Sequence, residues 1–316
     1  MKNHFILDNA LLIDPEGDKL FLGGLEIEGE FISKIHYEPQ KSNIKTIDCA
    51  GMLMGPGIID IGVKICEPGE RHKESFKSAG RAAAAGGVTT MVTRADTLPP
   101  VDSPEILSFM HQRGLEDSIV NIAPMATLTK NRQGKEMVEM GFLIDAGAVA
   151  FSDGDFVTTD LKILTRAMKY AKSLNALIIG HVQEPTLSKN TATTGGKFAT
   201  LRGLPSVSVI AEKIGLERDL SLVEMTNVSY HVDQISSGIA LPAIIRAKKQ
   251  GLDVTAGVSI HHLTLNELDI GDYRTFFKIK PPLRSERDRE QMVEAVSTGV
   301  IDIICSMHTP QDEESK

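Results

Sequence analysis

The sequence predicts an α/β protein, a (β/α)8 barrel of the TIM type preceded by a small β unit. After residue 55, apolar runs rich in β-branched residues alternate with longer helical stretches, which is typical of a parallel sheet. Residues 55–316 number 262, close to the roughly 250 residues of such a barrel. No mid-chain linker separates two doubly wound domains. We therefore expect a β unit over 1–54 and a barrel over 55–316.

The N-terminal β unit is predicted from short apolar runs separated by turn residues. Its predicted strands are 5–7, 10–13, 24–29 and 31–35. The barrel strands are predicted at 58–65, 88–93, 119–126, 147–153, 176–182, 227–232, 253–260 and 301–308. The outer helices, recognised by apolar residues three and four apart, are predicted at 74–85, 104–113, 134–140, 161–173, 206–216, 240–249 and 286–297.

The predicted eighth strand is followed by only a few residues, which leaves no sequence for a complete eighth helix. We therefore expect either that another segment covers that face or that the sequence is a truncated part of a longer chain.

Composition excludes several classes of protein. The chain has 34 Lys and Arg against 42 Asp and Glu, a net charge of −8, so we expect no binding to nucleic acid or to an anionic membrane surface. Its apolar runs are strand-sized and interrupted, so we expect no membrane span and a cytoplasmic location. Cys49, Cys66 and Cys305 form no CxxC pair, which indicates buried thiols and not a disulfide or a cysteine-built zinc site.

Polar residues at the carboxyl ends of the predicted strands are the candidate site, because chemistry in such barrels occurs at that face. Asp153, His181 and His231 end three neighbouring strands and are expected to converge. One carboxylate with two imidazoles suits zinc or another borderline divalent ion. A hydrolytic metal barrel commonly has two inward-pointing histidines, one residue apart, on its first strand. In this chain those positions hold Gly62 and Lys64.

The chain resembles the dihydroorotases of the amidohydrolase superfamily along almost its whole length. The phrases that carry the resemblance are GPGIID at 55–60, EPG at 67–69, GGVTT at 86–90, TLPP at 97–100, AVAFSD at 148–153 and KIKPPLRS at 278–285. The resemblance implies a barrel flanked by a small β-sandwich built from both chain ends. It also implies interconversion of carbamoyl aspartate and dihydroorotate by a zinc-activated hydroxide.

The resemblance places the functional residues of the family at positions of this chain one by one, and only some of those positions keep the family's residue. The first metal site loses its ligands, because its two histidines are Gly62 and Lys64 and its aspartate is Met307. That aspartate is also the family's general base and acid, a role that a thioether cannot perform. The second site keeps all its protein ligands, which align with Asp153, His181 and His231.

The family's substrate-holding positions are also substituted, as the resemblance places them. The arginine is replaced by Cys66 and two asparagines by Asp96 and Lys280, while His308 retains the family's histidine. Cys66 removes a bidentate carboxylate clamp, and Asp96 brings negative charge to an anion site. We expect Lys64 to take the place of a metal cation and pair with Asp153, and Lys280 to pair with Asp96.

These observations leave three hypotheses. The first is a non-catalytic dihydroorotase homologue without bound metal, a pseudo-dihydroorotase that serves as a structural partner of aspartate carbamoyltransferase in a homo- or hetero-oligomer, as the resemblance implies. The second is an active amidohydrolase with one zinc on the second site, with His308 or Asp233 as proton shuttle, acting on dihydroorotate or a related cyclic amide. The third is an inert barrel that senses a small metabolite.

Overall fold

The computed structural model describes residues 3–14, 17, 19–38 and 43–315. The chain divides into two compact units, Met1–Ile58 and Ile59–Lys316. The boundary lies a few residues beyond the one drawn from the sequence.

The N-terminal unit is built around one sheet. Its strands are β1 (His4–Asp14), β2 (Lys19–Glu28), β3 (Phe31–His36), β4 (Lys45–Asp48) and β5 (Leu53–Met54). They lie in the order β3-β2-β1-β4, with β5 also paired to β1. The two runs predicted at 5–7 and 10–13 form one strand with a register shift between Leu7 and Ala10. Asn9 lies at this shift with φ +55°, and its amide donates to Asp48 Oδ1 at 2.8 Å.

The second unit alternates strands with helices. Its strands are β6 (Ile58–Val63), β7 (Val88–Thr93), β8 (Asn121–Pro124), β9 (Leu177–Gly180), β10 (Thr193–Thr194), β11 (Ser206–Val207), β12 (Ser229–Val232), β13 (Val254–Ser259) and β14 (Ile303–Cys305). Its α-helices are α1 (Phe76–Ala85), α2 (Pro104–Asp117), α3 (Met140–Asp145), α4 (Leu161–Ser173), α5 (Pro185–Ser188), α6 (Lys197–Arg202), α7 (Ile210–Thr226), α8 (Leu241–Lys249), α9 (Ile260–Thr264) and α10 (Glu286–Ser297).

Parallel ladders join the barrel strands in two groups, β6-β7-β8 and β9-β12-β13-β14. Phe151 connects the groups through single bridges to Ala126 and Ile178, so the strand predicted at 147–153 contributes one bridging residue and no ladder. On the other side, the Lys64 amide donates to the His308 carbonyl at 2.8 Å. The sheet therefore continues around the barrel from the first predicted strand to the eighth.

Helix starts follow their capping residues. Asp160 accepts hydrogen bonds from the first-turn amides of α4, and Ser285 accepts one from the Asp288 amide of α10. Such caps satisfy amides that have no partner inside the helix. The bounds predicted for these two helices, 161–173 and 286–297, are confirmed.

Two helix predictions need correction. The helix predicted at 134–140 is wrong, because this segment folds back as a hairpin in which Met137 pairs with Thr129, and α3 begins only at Met140. Gly134 has φ +66°, which an α-helix does not accommodate. The helix predicted at 206–216 begins later, since Ser206 and Val207 form a short strand.

The barrel interior is filled by apolar side chains from strands and helices, including Met91, Phe151 and Tyr230. The Tyr230 hydroxyl packs so closely against Gly180 that a β-carbon there would overlap it, and it donates to Asp219 Oδ2 at 2.7 Å. Among the residues that the structure describes, no helix is long and apolar enough to cross a membrane.

Candidate functional site

The carboxyl ends of the barrel strands hold the residues predicted for the site. Lys64 follows β6, Asp96 follows β7, and His181 follows β9. Met307 and His308 follow β14. A cavity of about 810 Å³ opens at this face, which we call the mouth cavity. Its wall includes Lys64, Arg94, Asp96, Lys280, Met307 and His308, together with Phe276 and Phe277.

The thioether of Met307 fills the space in front of Gly62. A β-carbon at residue 62 would lie 2.8 Å from Met307 Sδ and 3.2 Å from Met307 Cε. Gly62 has φ +84°, a backbone conformation that favours glycine, and Met307 has φ +52° and is only 9% exposed. Position 62 therefore accepts a side chain only if Met307 moves.

Arg94 is a residue of this site that the sequence interpretation missed. Its guanidinium donates to both carboxylate oxygens of Asp96, from Nε to Oδ1 at 2.9 Å and from Nη2 to Oδ2 at 3.2 Å. Arg94 directly follows β7 and lies two residues before Asp96, so its position at the carboxyl end of a strand was the signal.

Lys64 joins the same carboxylate. Its Nζ lies 3.4 Å from Asp96 Oδ2 and 4.0 Å from Glu70 Oε2. Burial alone would raise the pKa of Asp96, but Arg94 and then Lys64 outweigh it and lower the pKa to about 2. Asp96 is therefore a charged anchor for two cations.

Asp153 is held by neutral donors, so the predicted pairing of Lys64 with Asp153 is wrong. Its Oδ1 accepts from the Leu128 and Thr129 amides at 2.9 and 3.0 Å, and its Oδ2 from the Thr129 hydroxyl at 2.6 Å. A longer bond at 3.4 Å comes from Thr158. These donors satisfy the carboxylate without a cation, and burial raises its pKa above the ordinary value.

The two predicted histidine ligands are buried and neutral. Burial lowers the pKa of both His181 and His231 to about 4. His231 Nδ1 lies 2.8 Å from the Thr255 hydroxyl. His181 Nε2 is buried without a hydrogen-bond partner among the described residues.

Lys280 pairs with Asp155, so its predicted pairing with Asp96 is also wrong. Lys280 Nζ lies 3.0 Å from Asp155 Oδ2, and Arg132 Nη2 lies 2.7 Å from Asp155 Oδ1. Burial would raise the pKa of Asp155, but Lys280, followed by Arg94 and Arg132, holds it well below the usual range. Asp155, two residues after Asp153, was not identified from the sequence.

The remaining predicted residues have separate environments. His308 Nε2 lies 2.6 Å from Glu74 Oε2 at the start of the helical segment after β6. Cys66 is buried with its Sγ 4.0 Å from the Pro310 carbonyl, and burial raises the pKa of its thiol. Asp233 is buried near Arg94, and burial raises its pKa above the ordinary carboxyl value.

The residues at the mouth do not fit the zinc ion that the resemblance implies. Within the described ranges, no three His, Cys, Asp or Glu side chains are arranged to hold a metal ion. The Asp153 oxygens are occupied by hydrogen bonds from Leu128 and Thr129, and Lys64 and Arg94 add positive charge to the mouth cavity. Of the three predicted ligands, His181 alone has a buried ring nitrogen without a described partner.

Comparison with solved structures agrees with the architecture. The chain superposes on L-hydantoinase (dihydropyrimidinase) from Arthrobacter aurescens with a TM-score of 0.87 at 22% identity, covering 100% of this chain and 71% of that chain. D-hydantoinase (dihydropyrimidinase) from Thermus sp. gives a TM-score of 0.80 at 22% identity, covering 99% and 70%. These likenesses concern the fold, and they confirm the predicted (β/α)8 barrel.

Sequence comparisons identify the family. The family model described as dihydro-orotase-like matches residues 51–239. The dihydroorotase of Wolbachia sp. subsp. Drosophila simulans (strain wRi) is 38% identical over 311 residues, covering 98% of this chain and 70% of the relative. The dihydroorotase of Bacillus pumilus (strain SAFR-032) is 35% identical over 312 residues, covering 99% and 73%. The chain therefore belongs to the dihydroorotase-like family.

Proposed function

We propose that this chain is a non-catalytic member of its family, a pseudo-dihydroorotase. The observation that carries the proposal is Met307, a buried thioether at the position where the resemblance expects the proton-transferring aspartate. A thioether has no exchangeable proton and is a poor ligand for zinc in an oxygen and nitrogen site. The Met307 side chain also fills the space in front of Gly62, where the first histidine ligand would start.

The charge arrangement supports the same proposal. Lys64 brings an ammonium charge and Arg94 a guanidinium charge to the mouth cavity, and both contact Asp96. Fixed cations supply charge in place of a metal without activating water, because neither group lowers the pKa of a bound water as zinc does. We therefore propose that the chain works without bound zinc.

An active amidohydrolase with a single metal is the second candidate. The Nε2 of buried His181, which has no partner among the described residues, favours it, because a neutral imidazole with a free nitrogen can bind a metal ion. In that case Asp153 must release its bonds to Leu128 and Thr129, and His308 or Asp233 must transfer the proton.

Steady-state turnover of dihydroorotate and carbamoyl aspartate, with and without added zinc, separates the two candidates. We expect no turnover above background and less than stoichiometric metal in the same sample. The Bacillus pumilus dihydroorotase serves as the positive control. A His181→Ala variant distinguishes activity of this chain from that of a contaminating enzyme, because a contaminant's activity does not change with the substitution. Zinc-dependent turnover that disappears in His181→Ala would establish the active candidate.

We further propose a structural role beside aspartate carbamoyltransferase in cytoplasmic pyrimidine synthesis. This rests on the family resemblance and on curated relatives named dihydroorotase. Mixing the purified chain with the transferase of its own organism, followed by size-exclusion chromatography with light scattering, tests it. A combined species at about 10 µM protein is expected, as for a complex with a Kd near 1 µM. Separate elution of both proteins would contradict the partnership.

A further inference from the structure

A second cavity of about 510 Å³ lies beside the mouth cavity, and we call it the side cavity. Its wall includes His181 and Gln183 after β9, Lys189 after α5, and Lys278, Lys280 and Pro282 from the segment before α10. A volume of this size accommodates a metabolite of several tens of atoms at most. None of the metal-site or clamp positions of the family resemblance except His181 and Lys280 belongs to it.

Gln183, which lines this cavity, has a buried side-chain oxygen without a partner among the described residues. Its Nε2 donates to Glu212 Oε2 at 3.1 Å, and Glu212 is fixed in turn by Arg284 at 3.2 Å. Because a carboxylate only accepts, the amide nitrogen must face Glu212 and the orientation of the amide is determined. Gln183 Oε1 is then left buried, on a residue only 3% exposed, without a partner among the described residues.

His181 adds a second unused polar atom. Its Nε2 is buried and lacks a partner in the described part of the chain, and the residue is 5% exposed. Leaving two such atoms unpaired costs about 1–3 kcal/mol each, so both positions favour a ligand that pairs with them. Gln183 Oε1 requires an N–H or O–H donor on that ligand.

Positive charge also lines the side cavity. Its wall contains Lys189, Lys278 and Lys280, together with the Asp155 carboxylate. Lys280 is partly neutralised by Asp155, whereas Lys189 and Lys278 have no ion pair with any described residue. Two unpaired ammonium groups match the charge of about −1.5 to −2 on a phosphate monoester near pH 7.

We propose that the side cavity binds a small phosphate monoester, with its phosphate between Lys189 and Lys278, a hydroxyl or amide donor on Gln183 Oε1, and a second polar group on His181 Nε2. The binding requires no metal and no reaction, so it does not depend on the absence of turnover. It adds a ligand-binding function to the barrel.

Isothermal titration calorimetry of the full chain in EDTA tests the proposal, with ribose 5-phosphate and uridine monophosphate as probes and malate as a dicarboxylate of similar charge. We expect at least one phosphate to bind with a Kd below about 1 mM and at least ten-fold more tightly than malate. Absence of phosphate binding up to about 10 mM, or tighter binding of malate, would overturn it.

Variants locate the binding. Lys189→Ala combined with Lys278→Ala is expected to weaken phosphate binding at least ten-fold, because each removes an exposed charge from the cavity wall. The matched control combines Lys169→Ala with Lys213→Ala, two exposed lysines of α4 and α7 outside the cavity, and is expected to bind within two-fold of the unmodified chain. Equal effects of both double variants would refute the assignment to this cavity.

Discussion

Replacing Asp96 with asparagine tests whether the carboxylate anchors the two cations of the mouth cavity. Asp96 is 7% exposed and accepts two hydrogen bonds from Arg94, while Lys64 lies 3.4 Å away. An amide keeps the shape of the side chain but leaves the Arg94 guanidinium without its counter-charge. Breaking one partner of a buried ion pair costs about 3–5 kcal/mol, and we expect a loss of that size at pH 7.

The pH dependence of the free energy of unfolding gives the part of this loss that comes from ionisation of Asp96. The folded pKa of Asp96 is about 2, against 3.8 for the free group, and each pH unit corresponds to about 1.4 kcal/mol. The carboxylate therefore contributes about 2 kcal/mol to folding above pH 4. A lowered pKa means that this contribution is lost as the pH falls from about 4 towards 2, and about half of it remains at pH 3.

Urea unfolding followed by circular dichroism at pH 7, 4 and 3 measures the difference between the unmodified chain and Asp96→Asn. We expect this difference to shrink by about 1 kcal/mol between pH 7 and pH 3. Asp145→Asn is the control, because Asp145 is exposed at the end of α3, and its change should stay within about 0.5 kcal/mol. If the curves of the unmodified chain and Asp96→Asn fall in parallel, the ion-pair assignment is refuted.

Three further substitutions test other parts of the structure. Gly62→Ala should cost about 1–3 kcal/mol in urea unfolding, chiefly through its positive φ and in smaller part through the contact with Met307. The cost should be smaller in a Met307→Ala background, and equal costs in the thermodynamic cycle would contradict that contact. Arg284→Met should cost about 3–5 kcal/mol in urea unfolding because it leaves Glu212 as an uncompensated buried charge, and a loss below about 1 kcal/mol would argue against the ion pair. Tyr230→Phe should cost about 1–3 kcal/mol by the same measurement, since it removes a hydroxyl that donates to a buried carboxylate, and a neutral result would contradict that hydrogen bond.

Elements with strong local signals were predictable from the sequence. The helix Leu161–Ser173 follows its Asp160 cap, and the strand Val88–Thr93 has the predicted bounds. The error at 134–140 arose because apolar spacing of three and four also occurs in a segment whose backbone pairs with Thr129 across a hairpin. The spacing of apolar residues indicates which side chains are buried, but it does not show which backbone groups of the segment form hydrogen bonds with each other.

The candidate site was located by the rule that strand ends face one mouth, but its ion pairs were predicted with the wrong partners. Lys64 and Lys280 were each assigned a wrong carboxylate, because long side chains reach several acceptors at similar distances. Two of the donors that hold Asp153 are the backbone amides of residues 128 and 129, which leave no mark in residue type. Only the three-dimensional arrangement shows that Asp153 needs no cation.

The conformations of Gly62 and Met307 limit the routes by which this barrel can acquire a metal-binding sequence. Met307 has φ +52°, a conformation that Asp and Asn adopt more readily than methionine, so the backbone there still suits the residue that the family resemblance expects. Any histidine at position 62 meets the thioether first, whereas an aspartate at 307 alone leaves the rest of the first ligand set missing. Each single substitution therefore either leaves the metal site incomplete or destabilises the fold. If the first metal site has been lost, as we propose, its recovery requires several coordinated substitutions, and a side chain at position 62 requires Met307 to move or to be replaced.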